Sequence, residues 1–421
     1  MNFFCAALVA ALMALLAGCG PDRAAAPAAK APPAAAPVLA YTSTPIGAPA
    51  GEKPWITHVA FADLDGNGLI DGLACDATTN TVVWLRQGPG MTFTESALAT
   101  GLAGPVHVQP VDLDGDGDLD ILVACMGRVM PTNERIGSVV VLENTGGNRF
   151  TPRVLVADTA RVTDVQAGDF NGDGRLDLAV AKFGYYEGEV TWMENRGDWK
   201  FTEHTLLNLP GAVNVCVADL NGDRRPDIAA VISQQYEEIY LFENKGGGQF
   251  SSTVIFGSTN EDFGSSGISL ADVNRDGKMD LLFTNGDGFD YAEPGRRPWH
   301  GLQWLENTGT GAFRYHRVAD FPGAYSPVGV DLDADGDLDL VCVSGFNDWK
   351  NPRAVSLMAF LNDGQQNFTA HSLASSPTHL VTVATADLNG DGRPELLTGG
   401  FHTYPPWDRV SRLRLWRQEG K

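Results

Sequence analysis

The chain has 421 residues and is strongly acidic, with 52 Asp and Glu against 30 Lys and Arg and a formal net charge of −22. A nucleic-acid partner calls for basic patches, so this balance argues against one. Six cysteines spread along that length give no support to a redox role.

In chain order the first element is an apolar stretch, residues 3–17, too short to span a bilayer comfortably as a mature helix. It runs into Leu16-Ala17-Gly18-Cys19, which resembles the bacterial lipoprotein cleavage box. The resemblance implies a signal peptide of residues 1–18 and lipidation of Cys19. One departure is that no Lys or Arg precedes Arg23. Residues 19–37 read as an Ala/Pro-rich tether, extended at ~3.1 Å per residue where polyproline-like. With Gly20 rather than Asp after the acylated cysteine, the expected location is a Gram-negative-like cell envelope, lipid-anchored at the outer membrane and facing the periplasm or cell surface.

From residue 63 onward the chain repeats one nine-residue acidic loop seven times, the first residues separated by 49 to 59 positions. That period marks repeated supersecondary units that cannot bury their apolar faces alone. Oxygen donors recur at loop positions one, three, five and nine, with a backbone carbonyl at seven. The expected ligands are Asp63, Asp65, Asn67, Leu69 and Asp71 in the first loop; Asp112, Asp114, Asp116, Asp118 and Asp120 in the second; and Asp169, Asn171, Asp173, Arg175 and Asp177 in the third. They continue as Asp219, Asn221, Asp223, Arg225 and Asp227; Asp272, Asn274, Asp276, Lys278 and Asp280; Asp331, Asp333, Asp335, Asp337 and Asp339; and Asp387, Asn389, Asp391, Arg393 and Glu395. Hard oxygen donors crowded round one point suit Ca²⁺, with its six to eight ligands and tolerant geometry, better than Mg²⁺. Glycine stands at position six in six copies, where the chain must curl; the fourth has Arg224, and its site is expected to be weak. The last ligand falls at nine rather than twelve, so these are not EF-hand loops. The loops hold 25 of the 52 acidic residues, which makes the acidity chiefly a metal signature.

Around each loop the same four strands can be read. A short strand precedes it (56–62, 212–218), an apolar strand follows (121–124, 178–181), then a third strand ends in a turn and a fourth begins near Phe. Trp84, Trp192, Trp304 and Trp416 share the third-strand position and are expected in the core. Seven such units make an all-β, seven-bladed β-propeller of four-stranded antiparallel blades over residues 38–421. Here the sequence resembles the FG-GAP or VCBS-type repeats known from integrin α-subunit propellers. The resemblance implies Ca²⁺ at the turns between first and second strands and implies no single activity. Six units have a Phe-led fourth strand, whereas the seventh stops after Trp416 with a five-residue tail. Residues 38–46 match the missing strand and are expected to complete the last blade. Cys75, Cys125, Cys216 and Cys342 fall on apolar strands of different blades and read as buried thiols.

Ligand binding is expected on the face opposite the acidic loops, where the loops between second and third strands are long in blades five, six and seven. Long aromatic and basic loops on a rigid scaffold suit recognition. The candidates are Tyr185, Tyr186, Tyr291, Arg297, Trp299, His300, Trp349, His402, Tyr404 and Trp407. His58 and His107 lie five residues before the first loop Asp of their blades, and Asp164 and Asn214 share that register. Residues at the entry of innermost strands surround the propeller axis, so His58, His107 and Asp164 could hold a transition metal or perform acid/base chemistry, or cap a solvated channel. The sequence carries no nucleophile elbow, phosphate loop, zinc-protease helix or dinucleotide fingerprint. The leading expectation is therefore a non-catalytic, monomeric binding, adhesion or scaffold module for carbohydrate or protein. An extracytoplasmic lyase-like, hydrolase-like or metal-dependent enzyme, and a subunit of an envelope complex, are the alternatives.

Overall fold

The computed structural model describes residues 39–49, 51, 53–130, 132–234, 237–289 and 293–419. Cys19, the tether and Tyr291 lie outside the described residues. Within them, 28 strands form seven four-stranded antiparallel sheets, six of them consecutive meanders. Innermost strands touch in cyclic order from the first blade to the seventh and back to the first, so the sheets are the blades of a closed propeller.

Each strand's sequence matches its place in the blade. Second strands such as Asp71–Asp76, Asp120–Cys125 and Asp227–Ile232 are buried at every residue, because neighbouring blades cover both faces and no polar alternation is tolerated. Outermost strands such as Phe201–Leu207 have no buried residue. The apolar core is accordingly divided into seven layers between adjacent blades. One joins Leu73, Cys75 and Trp84 of the first blade to Ile121, Val123 and Leu142 of the second. Trp84, Trp192, Trp304 and Trp416 are buried in these layers as expected, and Cys75, Cys125, Cys216 and Cys342 are buried free thiols.

The ring closes through its N-terminal strand. Tyr41–Pro45 pairs antiparallel with Leu413–Gln418, with Tyr41 opposite Gln418 and Pro45 opposite Arg414. The expected clasp is therefore present, and side chains reinforce it. Tyr41 donates to the Pro394 carbonyl at 3.1 Å. Arg412, at the entry to the last strand, bonds Asp76 and Glu95 of the first blade at 2.8–3.0 Å.

Candidate functional site

At the metal-loop face the ninth residue of each loop is the first residue of a second strand, and its carboxylate braces the blade. Asp120 accepts the backbone N–H of Leu113 through Oδ2 at 3.1 Å and that of Asn144, at the end of the third strand, through Oδ1 at 2.7 Å. Asp177, Asp227, Asp280 and Asp339 repeat the pattern. Burial raises the carboxyl groups of these five residues to about 6 against the restraint of those N–H bonds.

The loops divide into two sets. Carboxylate oxygens from positions one, three and nine lie within 4.8 Å of one another in Asp63/Asp65/Asp71, Asp112/Asp114/Asp120 and Asp331/Asp333/Asp339. Asp65 Oδ1 and Asp331 Oδ1 are buried there without a hydrogen-bond partner, as a hard cation's ligands would be. Burial, then the Asp116 and Asp335 carboxylates, raise Asp114 and Asp333 above the usual range. These three groups could hold a metal ion, and their all-oxygen donors fit Ca²⁺. In the third, fourth and fifth loops position three is Asn, and the base at position seven pairs with the Asp at five: Arg175 with Asp173, Arg225 with Asp223, Lys278 with Asp276. In the seventh, the Asn389 amide bonds Glu395 at 3.2 Å. The sequence reading singled out the fourth loop alone because of its missing glycine. The side chains show that position three and position seven separate the loops, and the fourth has like-built neighbours.

On the opposite face an axial cavity of about 500 Å³ is lined by residues of all seven blades. His58, His107, Asp164, Asn214, Gly267, Ser326 and Thr382, which share one sequence register, all line it. In each innermost strand the pairing register shifts at this position or just before it. Bulges re-aim side chains, and here several of them turn to the next blade. His58 Nδ1 accepts the Val108 N–H at 3.4 Å, Asp164 Oδ2 the Val215 N–H at 3.1 Å, Ser326 Oγ the Val383 N–H at 3.1 Å and Thr382 Oγ1 the Val59 N–H at 3.1 Å.

His107 departs from that pattern. Its Nδ1 approaches Asp164 Oδ1 at 3.1 Å, off the line of a directed hydrogen bond, and both atoms are buried with no other partner. Asp164 is 2% exposed, and its second oxygen takes an N–H of the Asn214 amide at 3.3 Å. The His58 and His107 rings lie 4.2 Å apart, tilted by 42°. Burial lowers His107 to about 4 and, with the neighbouring His107, also lowers His58; burial raises Asp164 to about 6. At neutral pH both imidazoles are uncharged and the carboxylate is ionised. The sequence reading thus brought together three residues that do meet. Among the described residues the side-chain groups converging within 4.8 Å are the three acidic ones, and the trio is a polar site on the cavity lining.

The aromatic candidates separate by depth. Tyr185 lines the cavity beside Phe183 and Arg161, whose guanidinium sits 4.6 Å from the Phe183 ring centre. Tyr186 is 84% exposed next to it. Trp407 is 45% exposed and stacks on His402 at 4.4 Å. Trp349 and His300 are only 2% and 1% exposed and lie buried in the loops that carry them. His300 Nδ1 accepts the Gly323 N–H at 3.1 Å, and burial lowers it to about 4. Arg297 bonds the carbonyls of its own loop, and Trp299 Nε1 donates to the Asp262 carbonyl at 2.7 Å. The Tyr404 hydroxyl donates to the Asn347 carbonyl at 2.8 Å, tying the seventh blade's loop to the sixth. The loop of the second blade, 126–136, is long too and brings Met126 and Val129 to the cavity; it carries no aromatic residue to mark it. Phe289, Tyr325 and Phe401 form an aromatic wall across the axis from His107 and Asp164. Phe289 contacts Phe401 at 5.8 Å, and three blades contribute, which is why no single motif announces the wall.

The FG-GAP-like repeat family matches residues 63–123, 129–180, 170–230, 221–283 and 331–398. Cartilage acidic protein 1 of Mus musculus is 24% identical over 272 residues, 58% of this chain and 39% of that protein. T-cell immunomodulatory protein of Mus musculus is 25% identical over 323 residues, 68% of this chain and 48% of that one. The chain thus spans less than half the length of these relatives. Among solved structures, an Agrocybe aegerita lectin that recognises non-reducing terminal N-acetylglucosamine aligns with a TM-score of 0.50 and 19% identity, covering 77% of this chain and 80% of the lectin. BBS1N, solved in complex with ARL6DN, aligns with a TM-score of 0.54 and 10% identity over 90% of this chain and 96% of BBS1N. At these identities the structures share a fold.

Proposed function

The chain belongs to the FG-GAP-like repeat family, and from that premise we propose that it is a Ca²⁺-stabilised, lipid-anchored binding module of the cell envelope, with its ligand site in the axial cavity. The observation that carries this reading is the cavity itself. An aromatic wall from blades five to seven faces buried, incompletely partnered polar groups from blades two and three. Few convergent polar groups in a mostly apolar concavity are the usual make-up of a small-ligand site. Carbohydrate is the ligand class that fits first; a protein that seats one side chain or loop there is the second. The lectin of similar fold recognises a sugar and BBS1N is found with a protein partner, so either ligand class is compatible with this fold.

The binding reading is tested with the purified protein on panels of neutral and charged glycans and on envelope extracts, comparing wild type with Tyr185→Ala and Phe289→Ala. Saturable capture weakened by both changes is the expected result; capture indifferent to both would place the ligand elsewhere. Ca²⁺ would be held by Asp63/Asp65/Asp71, Asp112/Asp114/Asp120 and Asp331/Asp333/Asp339, where it would tie the first two strands of a blade. Anchoring at Cys19 is tested by fractionation and mass spectrometry. A diacylated N-terminal peptide in membranes, and its loss with release of the protein in Cys19→Ser, is expected.

A further inference from the structure

The two cavity histidines are committed to opposite hydrogen-bonding roles by their partners. His58 Nδ1 faces a backbone donor, the Val108 N–H, so its lone pair lies at Nδ1 and its proton at Nε2. His107 Nδ1 faces the carboxylate oxygen Asp164 Oδ1 at 3.1 Å. A carboxylate accepts only, so this approach favours the His107 tautomer with its proton at Nδ1 and the lone pair at Nε2. The rings are neighbours, 4.2 Å apart, and both line the cavity. One therefore offers an N–H and the other an acceptor to whatever sits above them. Asp164, almost wholly buried with Oδ1 lacking a directed partner, sets this arrangement.

We propose that His58 and His107 form a donor–acceptor pair that reads two neighbouring hydroxyls of a neutral sugar residue held in the axial cavity. The inference rests on the binding-module reading and supplies its ligand class. A hydroxyl both accepts and donates, so adjacent hydroxyls match an adjacent donor and acceptor where a carboxylate or an ammonium matches only one of them. Charge points the same way. Among the described lining residues the acids are Asp164 and Asp287 against the base Arg161, an acidic excess that disfavours uronates, phosphates and sulfates. Phe289 and Tyr325, both partly exposed on the cavity lining, present apolar area to the C–H face of a pyranose, with Phe401 buried behind Phe289 and stacked on Trp55. The cavity, about 500 Å³, lies within the range for small ligands.

The test is Asp164→Asn. Its amide oxygen can keep the Val215 N–H bond while its NH₂ donates to His107 Nδ1, which moves the ring proton to Nε2 and leaves two donors and no acceptor. Neutral oligosaccharides from the panel are titrated into the full-length wild type and variant, and histidine ¹⁵N shifts report each tautomer without ligand. Support consists of a bare Nε2 on His107 in the wild type, an inverted tautomer in the variant, and affinity at least tenfold weaker. Unchanged affinity with an inverted tautomer, or a wild-type His107 protonated at Nε2, overturns the pair and leaves the binding-module reading standing. Failure of every neutral glycan to bind wild type, with charged glycans or protein captured instead, overturns the sugar assignment. Failure of all ligand classes removes the binding reading and the pair with it. Should Asp164→Asn not fold, His58→Phe removes the donor together with the acceptor for the Val108 N–H, and affinity equal to wild type would likewise overturn the proposal.

Discussion

At position six of the acidic loop the backbone passes through the left-handed region in every copy, at φ values from 68° to 96°. Glycine accepts this without cost, but Arg224 holds φ 68° with a side chain, which costs roughly 1–2 kcal/mol. Part is returned by the unfolded-state entropy a glycine would add. Arg224→Gly should therefore raise unfolding free energy in urea by about 0.5–1 kcal/mol in metal-free protein; a decrease would mean that Arg224 makes a compensating contact. His300 carries a pH consequence. Its folded value of about 4 lies below the ordinary 6.5 because burial disfavours its charge. A lowered histidine contributes stability that is complete above its unfolded value and lost as pH falls through the folded one. Wild type should lose stability between pH 6.5 and 4, and His300→Gln should show a shallower loss over that window in thermal scans. Both residues were visible in the sequence, but His300 was read as a surface ligand. Its ring is buried where it accepts the Gly323 N–H, and only packing reveals that.

At the scale of elements, position nine shows why strand boundaries moved. The sequence reading began the second strands after the loop, whereas the ninth carboxylate is already a strand residue because it bonds two backbone N–H groups. Outermost strands held a second surprise. There His204 and His316 stack on Trp192 and Trp304 at 4.6 and 4.4 Å and meet Glu194 and Glu306 at 2.9 and 2.8 Å. Each is a cross-strand partner directly opposite its tryptophan, so the third and fourth strands are locked edge to edge. The Arg412 clamp belongs to this scale. Asp76 is 3% exposed and Arg412 8%, and removing one member of a buried pair leaves the other charge unpaired. Arg412→Ala should lower stability by on the order of 3 kcal/mol, measured by denaturant unfolding; a loss within error would show that water replaces the guanidinium.

Over the whole molecule, closure and metal binding act on the same ring. Deleting residues 39–46 removes the fourth strand of the last blade and with it the Tyr41 and Leu39 contribution to the layer between blades six and seven. The melting temperature should fall sharply, and an unchanged curve would sink the clasp as a stabilising device. A cation bound only by the native ring stabilises it by mass action. Ca²⁺ should raise the melting temperature of chelated protein. Asp114→Ala or Asp333→Ala, in loops with converging carboxylates, should blunt that rise more than Asp223→Ala, whose carboxylate is already paired with Arg225. Equal effects in all three variants would mean that ligand convergence does not rank the sites.

Blade number, the acidic loops, the closing strand, the buried tryptophans and the cavity register were all legible before any coordinates. Each is written in local periodicity: alternation of period two, nine-residue spacing, a repeat of 49 to 59 residues, and a fourth strand missing from the last unit. What folding alone decided is which side chains meet across blades. Asp164 finding His107, and Trp349 and His300 sinking below the face they were assigned to, depend on contacts between residues distant in the chain. Such contacts follow from ring geometry and side-chain direction, which no single segment encodes.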